Sequence, residues 1–130
     1  MGRTVIVLDT SALIFWTLDP DRLSTAAATA IAESQRTIIS SISIWKIGLK
    51  VKKDQLVLPL PMAAYVEKLQ TVEGVEIVPV DEKTWLKNLE LVWEHKDPAD
   101  RTIVATAIIF SSPLVSSDKL IRKFYPETIW

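Results

Sequence analysis

Four aspartates stand where carboxylates can act together. Asp9 directly follows the β-branched apolar run TVIVL, and Asp118 directly follows PLVSS. Asp97 and Asp100 bracket the DPAD that opens a long helical pattern. In open parallel α/β sheets, functional groups gather beyond the carboxyl ends of the strands. Acids after two such strands and at a helix start therefore fall on one sheet edge. Three or four carboxylates held close repel each other, and a hard divalent cation such as Mg2+ relieves that repulsion through oxygen ligands. A site of this kind activates a water and clamps a phosphodiester for in-line attack.

Each acid also has a purely local explanation. An aspartate after a strand is a common turn or capping residue, which covers Asp9 and Asp118. Asp97 as N-cap, Pro98 at the first helical position and Asp100 three residues on make a capping box. On spacing alone Asp97 is read as the cap, while Asp100 also suits the helix dipole. Other chemistries lack their groups. Gly2, Gly48 and Gly74 are the only glycines, so no glycine-rich phosphate loop can form. The single histidine, His95, lies in a polar loop with no nucleophile elbow, and reads as a surface or substrate-contacting side chain. The absence of cysteine excludes disulfides and thiolate metal sites, and suits a reducing cytosol.

The elements that must carry these acids alternate. At 130 residues, 48% hydrophobic and 24% charged, the chain fits one domain spanning residues 1–130. Strands are expected at 4–8, 37–40, 75–80, 113–117 and 127–130. Helices are expected at 11–18 with Thr10 or Ser11 near the cap, at 24–34 capped by Ser24, and from about 42. Others follow at 62–70 with Pro61 in the first turn, at 81–93, at 98–110 and at 118–124. The fold class that follows is α/β: a three-layer α/β/α sandwich with a mostly parallel central sheet of about four to five strands. Trp16, Trp45, Trp85, Trp93 and Trp130 read as core or interface residues, with Trp45 buried beside its isoleucine neighbours. The run IVATAIIF is too short to span a bilayer. A net charge of −1 gives no global attraction for nucleic acid, although Lys46, Lys50, Lys52 and Lys53 form one basic cluster and Lys119, Arg122 and Lys123 another.

The segments VLDTSALI, SSISIWKIGLKVKKDQL, HKDPADRTIVATA and LVSSD, with a terminal Trp130, come in an order and spacing that resembles a PIN-domain ribonuclease, the VapC-type toxin of type II toxin–antitoxin systems. The resemblance covers nearly the whole chain. It implies that Asp9, Asp100 and Asp118 are the catalytic acids and bind Mg2+ or Mn2+. It places Ser116 at the hydroxyl position two residues before the last acid, and Ser11 as a small hydroxyl supporting the first. Asp97 is implied as a cap or support, and Arg101 as one of the basic residues holding the RNA backbone. A homodimer, a small cognate antitoxin, an RNA substrate and a cytoplasmic location are implied as well.

One position departs from the family pattern. Where the family usually reads Trp-Glu-Ile, this chain has Trp45-Lys46-Ile47. Helical spacing puts Lys46, Lys50 and Lys53 on one stripe, which reads as solvated. The resemblance instead puts position 46 at the mouth of the acidic pocket. A lysine there changes the local charge by two units, and its ammonium is expected to pair with Asp9 or Asp100 and weaken both metal binding and cleavage. Three readings follow: an endoribonuclease impaired by Lys46, a binding module that keeps antitoxin or RNA binding without turnover, and a plain α/β protein whose aspartates are all caps.

Overall fold

The computed structural model describes residues 4–130. Five strands form one sheet in the order β3-β2-β1-β4-β5, and every neighbouring pair is parallel. They are β1 (Val5–Leu8), β2 (Arg36–Ser40), β3 (Val75–Val78), β4 (Leu114–Val115) and β5 (Thr128–Ile129). Seven α-helices connect or follow them: α1 (Thr10–Leu18), α2 (Thr25–Glu33), α3 (Ser41–Lys52), α4 (Met62–Thr71), α5 (Glu82–Glu90), α6 (Pro98–Ile109) and α7 (Lys119–Phe124).

The side-chain alternation of the strands divides the core in two. Ile6, Leu8 and Ile39 pack with Leu13, Ile31, Ile47 and Leu69 from α1 to α4. Val7, Ile38 and Leu114 face the other way and meet Ile103, Val104 and Ala107 of α6 and Ile121 of α7. Strands covered on both faces are apolar at consecutive positions, which is why TVIVL reads as a run and not as an alternation. This is the expected three-layer architecture.

Several boundaries differ from expectation. The sheet is wholly parallel, and β4 is only two residues long. Helix α5 stops at Glu90, so the segment carrying Leu91 to Lys96 is a connection and not a helix end. Helix α1 is capped by Asp9 and not by Thr10 or Ser11. Pro61 is the extended N-cap of α4, one position before the helix, where its missing N–H costs nothing. Trp45 is 57% exposed. Ser43 and Ile47 point α3 inward, and a residue midway between them in sequence faces the opposite side. Gly74 turns the chain into β3 at a φ of 83°, and a Cβ there would sit 2.7 Å from the Gln35 carbonyl oxygen. Only glycine fits that approach.

Candidate functional site

The strand order reverses at β1, with β2 on one side and β4 on the other. The crevice beyond the carboxyl ends of β1 and β4 is the topological switch point, where ligands bind in such sheets. The Asp9 N–H donates to the Val115 carbonyl at 3.1 Å, which ties the end of β1 to the end of β4. Asp118 follows three residues later. Helix α6 packs on β1 and starts with the DPAD segment.

Capping fixes three of the four acids. Asp9 Oδ1 accepts the Ala12 N–H at 2.7 Å, Asp97 Oδ1 accepts that of Ala99 at 2.9 Å, and Asp118 Oδ1 accepts that of Leu120 at 2.8 Å. Ser116 Oγ accepts the Asp118 N–H at 3.0 Å. The capping box does not form. Asp100 turns away from the start of α6, and its Oδ2 lies 2.7 Å from His95 Nε2. Capping and site formation are thus compatible, because a cap uses one carboxylate oxygen and orients the other. Asp100 Oδ1 and Asp118 Oδ2 have no hydrogen-bond partner among the described residues. Asp97 differs, since its Oδ2 faces the Lys46 ammonium at 3.5 Å.

The acids share one electrostatic field. Asp9 is only 4% exposed. Burial, above all, raises its pKa from 3.8 to about 6. The Ser116 hydroxyl and the Ala12 N–H oppose that rise, and the charges of Asp100 and Asp118 add to it. The Asp100 pKa is raised as well, first by burial and then by Asp97 and Asp118, while the hydrogen bond from His95 pulls it down. One ligand atom each from His95, Asp97 and Asp100 lies within 4.8 Å of the other two. Asp118 acts on Asp100 through charge, and Asp100 acts on Asp9, while Asp9 and Asp118 lie outside this tight core. Oxygen donors, one imidazole and a buried carboxylate kept reluctant to ionise make a donor set that fits a divalent cation.

The sequence pattern of the PIN domain matches residues 6–125. The chain belongs to the PIN-domain family. It is 29% identical to Ribonuclease VapC22 of Mycobacterium tuberculosis over 98% of this chain and 99% of that protein. In fold it is similar to a toxin–antitoxin complex from Klebsiella pneumoniae, with a TM-score of 0.68, 18% identity and 96% of each chain covered. It is also similar to VapBC2 from Rickettsia felis bound to a DNA fragment from their promoter, with a TM-score of 0.62, 16% identity and 96% of each chain covered.

Within this PIN domain, Lys46 is half-buried and meets an acid other than the two expected. Its side chain is 34% exposed and its ammonium pairs with Asp97, not with Asp9 or Asp100. Helix α3 packs against α6, so the lysine meets the N-cap that begins α6. Ser11 is exposed at the start of α1. The hydroxyl beside Asp9 is that of Ser116, and the buried hydroxyl pair at this end of α1 is Thr10 with Ser43 at 3.0 Å.

Arg101 corrects the expectation most sharply. All five of its N–H donors are used inside the chain. Nε donates to Asn88 Oδ1, Nη1 to the carbonyls of Trp93 and His95, and Nη2 to those of Asn88 and Leu91. None is left for a phosphate. Arg101 fastens the connection between α5 and α6 and so holds His95 beside Asp100. Only a planar five-donor fork does this, so Arg101→Lys should recover little of what Arg101→Ala loses, roughly 2 kcal/mol by urea denaturation. Equal stability of the lysine variant and the wild type would refute the stapling role. The sequence reads His95 as a surface or substrate-contacting side chain and does not reveal its contact with Asp100. Its nearness in sequence to DPAD was the available signal, but contact required the loop to fold back.

Asp97 yields a smaller prediction. Asp97→Ala should cost about 1 kcal/mol and Asp97→Ser should recover most of it, measured by thermal or urea unfolding. A Ser variant as unstable as the Ala variant would mean that the contact with Lys46, and not the cap, dominates.

Proposed function

We propose that this chain is a toxin-type endoribonuclease that hydrolyses RNA phosphodiesters with a divalent metal, and that Lys46 impairs it. The single observation that carries the reading is the placement of the acids at the switch point: Asp9 is buried at the end of β1, its N–H bonded to the end of β4 three residues before Asp118, with Asp100 opening α6 on the same edge. Asp9, Asp100 and Asp118 would hold Mg2+ or Mn2+, which when bound supplies an activated water and neutralises charge on the phosphodiester. Asp9, held near a pKa of about 6, is largely ionised at neutral pH and so offers a carboxylate oxygen for that task. Ser116 orients Asp9 and the Asp118 backbone together. His95 fixes the Asp100 carboxylate from the outside. The whole chain acts as one PIN-like unit, working on RNA in the cytoplasm as a homodimer restrained by a small cognate antitoxin. The named relatives, a ribonuclease and toxin–antitoxin complexes, support that setting.

One observation favours a second reading, a PIN-fold binding module without turnover: the Lys46 ammonium already sits on Asp97 at 3.5 Å. Calorimetric titration with Mn2+ and cleavage of single-stranded RNA, each with and without chelator, separate the two. Metal-dependent cleavage supports the nuclease. RNA binding that ignores both metal and chelator supports the module. Asp118→Asn keeps a capping side chain, so loss of cleavage in that variant without loss of stability would mark Asp118 as a site residue.

A further inference from the structure

A second concavity opens beside the acids. Its walls include Val92, Trp93, His95, Leu120, Lys123 and Phe124, and Glu94 is the one acid in its lining. His95 belongs to both places, since the same imidazole that lines this pocket meets Asp100 at 2.7 Å. Trp93 and Phe124 are stacked, with ring centroids 4.5 Å apart and planes 9° from parallel, and the His95 ring lies 4.8 Å from Trp93. The aromatic wall is therefore rigid. Its apolar rim is left to solvent, with Val92 96% and Leu120 54% exposed. Lys123 brings a cation to the edge, and Lys119 and Arg122 are exposed on the same short helix.

We propose that this pocket is a nucleobase subsite. It would seat one unstacked base of a single-stranded RNA against Trp93, Leu120 and Phe124, with Lys123 on a flanking phosphate. The inference rests on the ribonuclease reading and names where that substrate lies next to the acids. Three features select this occupant. A flat aromatic and aliphatic wall suits a base, whose π-face stacks without regard to sequence. A cation at the rim, with an acid in the lining, favours a phosphate at the edge and a base inside. Continuity through His95 places the base one side chain from the carboxylates, the reach expected between a base and its own phosphodiester.

The test measures binding of a short fluorescein-labelled single-stranded RNA by anisotropy, in chelator so that nothing is cut. Two probes are used, one with normal bases and one of the same length with abasic sugars. Leu120→Ser should weaken binding of the normal probe roughly fivefold or more, through loss of an apolar contact with the base, and should leave the abasic probe unaffected. Lys123→Gln should weaken both probes and lower the slope of log affinity against log salt by about 0.7, one phosphate contact on a single strand. Val57→Ser and Lys68→Gln, matched exposed changes outside the pocket, should alter neither. If Leu120→Ser and Lys123→Gln bind both probes like the parent, the subsite is wrong. If they instead change only the sedimentation of the protein, the pocket is a protein interface and the proposal is overturned. Failure of the ribonuclease reading looks different: the parent binds neither probe, and Lys46→Glu cleaves no RNA with any divalent metal.

Discussion

Lys46→Glu should convert this chain into an efficient metal-dependent ribonuclease. The change removes an ammonium and supplies a carboxylate at the same place. In the wild type the ammonium stands 3.5 Å from Asp97 Oδ2, at the start of the helix that carries Asp100. A unit charge at about 4 Å is worth on the order of 1–4 kcal/mol between water and a protein surface. With a third of the lysine side chain exposed, the lower half of that range applies. Reversal of the charge should still tighten Mn2+ binding roughly ten- to a hundredfold. Lys46→Ala should gain less, because it removes the cation without adding an oxygen. The three proteins are compared by calorimetry with Mn2+ and by RNA cleavage with metal and with chelator. Without metal, the carboxylate introduced by Lys46→Glu would face that of Asp97 unpaired, so this variant should also show the largest rise in melting temperature on adding Mn2+. Equal, chelator-sensitive cleavage by the wild type and the glutamate variant would show that the Lys46–Asp97 contact does not restrain the site.

Asp9→Asn should have two opposite effects: a more stable metal-free protein at neutral pH, and no metal-dependent activity. Asp9 titrates near 6 when folded, against an ordinary value of 3.8. Between those values the folded protein keeps a proton that the unfolded chain has lost. The stability associated with that proton is fully present below 3.8 and is lost as pH rises through 6. The loss is on the order of 2–3 kcal/mol once Asp9 is ionised. Asparagine cannot ionise, and it remains a good N-cap for α1. Metal-free Asp9→Asn should therefore match the wild type in stability near pH 4 and exceed it at pH 7, while gaining nothing from Mn2+. Urea unfolding in chelator at the two pH values measures this. A variant destabilised equally at both would mean that the Asp9 carboxylate is not strained by its burial, and that the electrostatic basis of the proposed site is wrong.

Much of the frame is written locally. TVIVL, TIIS and VEIV are strands because β-branched apolar residues suit a sheet covered on both faces. Ser24, Asp81, Asp97 and Asp118 cap helices because a short oxygen-bearing side chain reaches an N–H two or three residues ahead. Placing acids after β1 and β4 needed only the rule that the strand ends of a parallel sheet form the site edge. Lys46 was conspicuous in the sequence because one residue departed from a pattern that otherwise held across the chain.

The partners of those residues were decided elsewhere. Asp100 reads as a helix-start acid, yet its carboxylate goes to His95, because Arg101 draws the preceding loop back over α6 with bonds to four main-chain carbonyls. Arg101 reads as a phosphate binder, and is a staple, for the same reason. Lys46 pairs with Asp97 because α3 crosses the start of α6, and Trp45 faces solvent because Ser43 and Ile47 turn that helix inward. Secondary structure and caps depend on neighbours a few residues apart, so the sequence by itself determined them. Which charge meets which depends on where loops and helices distant in sequence are packed, and that only the tertiary structure decided.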